Sequence, residues 1–203
     1  MADVPRLILA SGSAARRQML QAAGLAFDVI LPDVDEDAIR STMMSESDCV
    51  EAADLASVLA AEKALAVSRA HPDALVIGAD QVLALGRKMF AKAATMMEAR
   101  ETLDHLRGRT HELVSAVALA HGNEVAWHTR DSARLTMRRF SDEFLGQYLA
   151  RSGDRVLSSV GCYELEGLGV QLFDRIDGDY FTILGMPLLP LLAKLREHSM
   201  VTA

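Results

Sequence analysis

Cysteine is the first thing this 203-residue chain has little of: there are two, Cys49 and Cys162, and neither lies in a C-x-x-C or a cysteine/histidine cluster of metal spacing. That excludes a disulfide framework and a zinc-ribbon type of site, and it points to a reducing compartment. An excess of positive charge is also missing. With 21 Lys+Arg against 28 Asp+Glu the net charge is -7, so there is no overall basic surface to release counterions from duplex nucleic acid. Long apolar runs are lacking too; the first spans four residues, Leu7 to Ala10, with no basic segment before it, so neither a signal peptide nor a membrane span is expected. The expected location is cytoplasmic. No G-x-x-x-x-G-K-[ST] appears and no G-x-G-x-x-G follows the first apolar run, which excludes a P-loop NTPase and argues against a dinucleotide-binding protein. Linkers, internal repeats and low-complexity blocks are absent, and half of the residues are hydrophobic, enough for one well-packed domain over residues 1–203.

What is present begins at that apolar run. Leu7-Ile8-Leu9-Ala10 breaks into Ser11-Gly12-Ser13 and then a helix over Ala14 to Ala23, stopped by Gly24. Ser13 is a good N-cap, and the first turn of a helix carries partial positive charge. Arg16 and Arg17 work against that dipole unless an anion such as a phosphate docks opposite them; the plainer reading is a solvated helix with a serine cap. Phe27 to Leu31 is predicted as a strand that empties into an acidic loop, Pro32-Asp33-Val34-Asp35-Glu36-Asp37. Such a loop is either simply solvated or a site for Mg or Mn, which prefer clustered hard oxygen ligands.

A helix is expected over Glu51 to Ala70 from the spacing of Leu55, Val58, Leu59, Leu65 and Val67. Lys63 falls on or beside its apolar face, where a lysine must snorkel, pair or reach into a site. The run Leu75 to Ala79 reads as a buried strand closed by Asp80, and in open α/β sheets ligands sit beyond such strand ends. Asp80 either opens a turn or carries chemistry. A hairpin over Val82 to Phe90 delivers Lys92, Thr95-Met96-Met97-Glu98 is a capping box opening a helix to Gly108, and two long strands, Leu113 to Ala120 and Val125 to Phe140, flank a Gly122-Asn123 turn. Ser141 caps a helix through Leu149. After a glycine-rich segment, Gly161 to Gly169, come a strand over Val170 to Ile176, a turn at Asp177-Gly178, a strand over Tyr180 to Leu184 and a last helix from Pro187 to Glu197. Helices mixed with buried and alternating strands predict a single α/β domain with a mixed sheet.

Taken in order, Leu9-Ala10-Ser11-Gly12-Ser13 with Arg16, Val34-Asp35-Glu36, Lys63-Ala64, Ile77-Gly78-Ala79-Asp80, Lys92, Gly161-Cys162-Tyr163 to Glu166-Gly167, and Gly178-Asp179-Tyr180 with Leu184-Gly185-Met186-Pro187 resemble the Maf (septum formation protein) nucleotide pyrophosphatases. The resemblance covers nearly the whole chain. It implies an elongated, twisted mixed sheet flanked by helices, like that of the inosine triphosphate pyrophosphatases, and hydrolysis of a nucleoside triphosphate between the alpha and beta phosphates with a divalent metal, Mg or Mn. On that resemblance Arg16, Lys63 and Lys92 clamp the triphosphate, Ser11 and Ser13 donate to phosphate oxygens, and Asp80 orients or deprotonates the attacking water. Asp80 and Glu36 are the expected metal ligands.

The chain departs from the family's pattern in places. Ala14-Ala15 stand where many members have Pro-Arg, Ala93 replaces a frequent proline, and Ser158-Ser159-Val160 stand where a lysine-bearing segment is common. Gln81 and Glu166 replace the Thr and Gln of members resembling pyrimidine-specific enzymes, a combination that resembles the branch acting on 7-methylguanosine triphosphate. Guanine offers two adjacent N–H donors that one carboxylate accepts together, whereas uracil and thymine offer one. Glu166, helped by Gln81, is therefore expected to select a guanine-type base. A pyrimidine or broad-specificity pyrophosphatase is the alternative within the enzyme class, a non-catalytic nucleotide-binding regulator of cell division the alternative outside it. A homodimer is expected from the long ribbon, the apolar last helix and the resemblance.

Overall fold

The structure is a computed structural model that describes residues 5–46 and 50–200; Cys49 lies outside the described residues. Its frame is a seven-stranded mixed sheet. The strands are β1 (Leu7–Ala10), β2 (Asp28–Val29), β3 (Leu75–Leu85), β4 (Lys88–Phe90), β5 (Thr110–His121), β6 (Glu124–Met137) and β7 (Phe173–Asp177). They lie in the order β2-β1-β3-β5-β6-β7, with β4 also on β3. β1 pairs in parallel with β2 and β3, and every other pairing is antiparallel. The helices are α1 (Ala14–Ala22), α2 (Glu36–Glu46), α3 (Ala52–Ser68), α4 (Met96–Leu106), α5 (Asp142–Ser152), α6 (Tyr180–Ile183) and α7 (Leu188–Glu197). None of them is long and apolar enough to cross a membrane.

Side-chain alternation along the strands sends even-numbered positions of β3 and β5 to one face and odd-numbered ones to the other. Val76, Val82, Val114 and Ala116 pack under Leu55, Leu59 and Ala60 of α3, while Ile77, Val117 and Leu119 pack with Leu20 of α1 and Leu191 of α7. Farther along the sheet, Leu83, Leu113 and Leu135 share a third cluster with Leu103 and Leu145. Glycine makes the α3 layer close: a Cβ on Gly78 would stand 2.2 Å from the Ala60 carbonyl oxygen and 2.5 Å from the Ala64 nitrogen.

Four local expectations change. β3 does not end at Ala79 but runs on to Leu85, so Asp80 lies within a strand. The edge of β3 opposite β5 is shared: β1 covers it up to Gly78, and β4 takes over at Leu83. Residues 79–82 face no strand there, and this notch is where the polar residues collect. The acidic loop is shorter than expected because Asp35 accepts from the Ala38 N–H at 2.9 Å and starts α2 at Glu36, with acids where the helix dipole favours them. Tyr180 to Leu184 is a helical turn rather than a strand, because Asp179 caps it through the Thr182 N–H at 3.0 Å. The segment before β7 is also partly helical, with a 3-10 turn over Leu168–Leu172.

Candidate active site

The notch on β3 gathers side chains from both faces of the sheet. On one side, α3 presents Lys63 to Asp80; the ammonium lies 2.5 Å from Asp80 Oδ1 and 2.8 Å from Glu36 Oε1. Lys63 and Asp80 are both 7% exposed, so this is a buried pair rather than a snorkelling lysine. Burying two charges is tolerable only when each meets a partner at close range. Asp80 Oδ2 carries no hydrogen bond from the described residues and is not fully enclosed, which leaves it open to water or a ligand.

On the other side, α1 presents Arg16, 9% exposed. Its Nη1 donates to the Ala79 carbonyl at 2.8 Å and to Ser11 Oγ at 3.2 Å, and its Nε donates to the Gly185 carbonyl at 2.9 Å. No carboxylate pairs with it among the described residues. Burial lowers the Arg16 pKa, opposed by the fields of Asp80 and Glu36; a guanidinium stays charged under such a shift. With Nε and Nη1 committed, Nη2 carries no hydrogen bond among the described residues, so it is the group's remaining donor pair. Ser11 Oγ accepts from the Ser13 N–H, and Ser13 Oγ accepts from the Arg16 N–H as the α1 cap, so each hydroxyl keeps its proton to donate.

Lys92 follows β4 on an exposed stretch. Partial desolvation, then repulsion by Arg16 and Lys63, lowers its pKa below the ordinary lysine value, with Glu36 and Asp80 opposing. Lys92 therefore shares a field with the other two cations. Three positive groups crowd two carboxylates, and a cluster of that sign is built to receive an anion.

Gln81 points to the opposite face from Asp80, and its Nε2 lies 3.0 Å from Ser115 Oγ, 3.1 Å from the Thr182 carbonyl and 3.0 Å from the Ile183 carbonyl. The N–H protons of Gln81 are thus engaged by Ser115 and the backbone of α6, while its Oε1 carries no hydrogen bond among the described residues. Glu166 sits exposed in the turn after Glu164, without a hydrogen bond or ion pair among the described residues. Cys162 is a buried free thiol whose pKa is pushed up to about 11 by burial, which suits packing and not nucleophilic chemistry.

A family model described as Maf-like protein matches residues 6–198. The chain belongs to the Maf family. Among curated Maf relatives, a nucleoside triphosphate pyrophosphatase of Granulibacter bethesdensis is 51% identical over 97% of this chain and 99% of its own. A 7-methyl-GTP pyrophosphatase of Rhizobium meliloti is 48% identical over 98% of this chain and 99% of its own, and a nucleoside triphosphate pyrophosphatase of Caulobacter vibrioides is 50% identical over 96% of each.

Several groups of this Maf site escape a reading by side-chain type. The carbonyls of Ala79 and Gly185 that fix Arg16 are backbone atoms, which any residue supplies. Asp131 accepts from Thr182 Oγ1 at 2.8 Å, yet in the alternating pattern of β6 it is indistinguishable from a solvated acid. Asp179 did carry a signal, an Asp three residues before Thr182 at a helix start.

Proposed function

We propose that this chain hydrolyses a nucleoside triphosphate between the alpha and beta phosphates, releasing a nucleoside monophosphate and pyrophosphate, and that it prefers a guanine-type base such as 7-methylguanosine. The observation that carries the reading is the notch itself, where Lys63 pairs with both Asp80 and Glu36 and the two carboxylates act on Arg16 and Lys92 through their fields. Reactions at phosphorus need positioning and charge neutralisation more than covalent chemistry from the protein. Arg16 Nη2, Lys92 and the Ser11 and Ser13 hydroxyls bind and orient the phosphate oxygens. Asp80, held by Lys63 on one oxygen, uses the other to take the proton of a water whose oxygen bonds to phosphorus as the bridging P–O bond breaks and pyrophosphate leaves.

No group of three or more His, Cys, Asp and Glu placed to hold a metal ion occurs among the described residues. Two carboxylates, Asp80 and Glu36, meet on one ammonium, and that donor set fits Mg or Mn, which are commonly held by one or two carboxylates together with substrate phosphates. When bound there, the cation supplies charge neutralisation and polarises a phosphoryl oxygen. Glu166, without a protein partner among the described residues, is the acceptor for the paired N–H donors of guanine, in accord with the 7-methyl-GTP pyrophosphatase name of the Rhizobium relative. The reading includes a cytoplasmic homodimer, for which light scattering and fractionation are the tests.

The deciding experiment is pyrophosphate release from guanosine, 7-methylguanosine, uridine and thymidine triphosphates with Mg or Mn, with Asp80→Asn and Glu166→Gln alongside. Release led by 7-methylguanosine triphosphate, lost in Asp80→Asn and shifted toward pyrimidines in Glu166→Gln, is the expected result. An unchanged preference in Glu166→Gln would remove that residue from base selection. No release from any triphosphate would leave a nucleotide-binding regulator.

A further inference from the structure

Gln81 and Arg16 do not touch, yet one short turn joins them. α6 has four residues, too few to hold itself in place, and the last carbonyls of any helix lack partners within it. Here the Gly185 N–H serves the Thr182 carbonyl at 3.1 Å, and side chains of the sheet add to it and supply the Ile183 carbonyl. Ser115 Oγ donates to the Thr182 carbonyl at 2.7 Å, and Gln81 Nε2 serves the Thr182 and Ile183 carbonyls while also reaching Ser115 Oγ. Thr182 is fully buried; its Oγ1 donates to Asp131 Oδ2 at 2.8 Å and its N–H to Asp179 Oδ1 at 3.0 Å. Immediately after α6 the chain turns through Gly185 at φ 108°, and the Gly185 carbonyl accepts from Arg16 Nε.

Resting on the reading above, we propose that Gln81, with Ser115, Thr182 and Asp131, positions Arg16. The network fixes the turn whose last carbonyl holds the guanidinium by Nε, so that Nη2 stays turned out toward a phosphate oxygen. Gln81 acts through Arg16: its two N–H protons serve three acceptors on Ser115 and α6, while its Oε1 carries no hydrogen bond among the described residues. A loosened clamp of this kind weakens the hold on the polyphosphate whatever nucleoside is attached.

The test is a double-mutant cycle read in two ways: calorimetric binding of inorganic tripolyphosphate, and kcat/KM for 7-methylguanosine and uridine triphosphates. Gln81→Met keeps the side-chain volume without the amide. It is expected to weaken tripolyphosphate binding about tenfold and to lower kcat/KM by the same factor for both nucleotides, with no further loss when added to Arg16→Ala. Thr182→Val is expected to behave like Gln81→Met, while Thr182→Ser, which keeps the hydroxyl, stays near the unaltered protein; this pair carries the test should Gln81→Met not fold. A full loss on top of Arg16→Ala, a loss confined to one base, or equal behaviour of the two Thr182 variants would each overturn the proposal, as would an unaltered protein that does not bind tripolyphosphate. Coupled binding without pyrophosphate release would leave the positioning network standing and remove the hydrolytic reading alone.

Discussion

Replacing Gly78 with alanine tests how the buried ion pair is set. Gly78 and Asp80 project to the same face of β3, and the turn of α3 that overlies Gly78 is the turn that carries Lys63. An added Cβ would meet the Ala60 oxygen at 2.2 Å and the Ala64 nitrogen at 2.5 Å, where ordinary contact needs 3.4 Å or more. Backbone atoms cannot rotate away, so α3 must back off by roughly 1 Å or the strand must bend; overpacking of this kind costs about 1–3 kcal/mol. For a domain of this length about 2–4 °C of Tm follows each kcal/mol, so a fall of about 2–12 °C is expected in a thermal melt. The Lys63 to Asp80 contact of 2.5 Å opens at the same time, and a displacement of about 1 Å at a reacting group can cost roughly a hundredfold in rate. Pyrophosphate release measured on the folded variant reads that loss. Because the clash is with backbone, Ala64→Gly in the same chain should restore little. A Tm within about 2 °C of the parent together with undiminished turnover would refute the reasoning.

Lys63→Met leaves the Asp80 carboxylate buried without its partner, which is expected to destabilise by about 3 kcal/mol; the half-exposed Glu36 adds little, and Asp80→Asn in the same chain should recover part of the loss. Strictly additive melting temperatures would contradict this. His111, 2% exposed with an unpartnered Nδ1, has its pKa lowered to about 4 by burial. The unfolded chain binds that proton near pH 6.5 and the folded chain does not, so stability present above pH 6.5 is lost as pH falls toward 4, by about 3 kcal/mol. Urea titrations should show a shallower acid limb in His111→Gln, and an identical slope would refute the assignment. Lys92 loses its charge below the ordinary lysine pKa, so tripolyphosphate affinity should weaken as pH rises toward 10.5, and Lys92→Arg should carry that affinity to higher pH. An unchanged alkaline limb in Lys92→Arg would place the titration elsewhere.

Much of the sheet was legible because its signals are local. The apolar runs of β3 and β5, the serine and threonine caps at Ser13, Thr95 and Ser141, and the turn glycines all act within a few residues. The break placed at Asp80 shows the limit. A strand that turns polar reads as ended, yet β3 continues because Asp80 is satisfied by Lys63 and Gln81 by α6, partners 17 and about a hundred residues away. Tyr180 to Ile183 failed in the other direction: aromatic and β-branched residues favour a strand, and the Asp179 cap with the sheet's side chains overrides them. The start of α2 was readable in Asp35, Glu36 and the Ile39 to Met43 spacing, but the density of acids disguised it. Of the candidate site, the charged members were legible as residue types, whereas the carbonyls that aim Arg16 were not.

The bond between Arg16 and Gly185 spans 169 residues. During synthesis, β1, α3 and β3 leave the ribosome long before the turn that closes on the guanidinium, so a nascent chain has its Lys63 and Asp80 while its phosphate clamp is still unaimed. The last of the bonds that aim Arg16 therefore needs α6 docked on β5 and β6, and a chain arrested short of that turn lacks the Gly185 carbonyl that holds Nε.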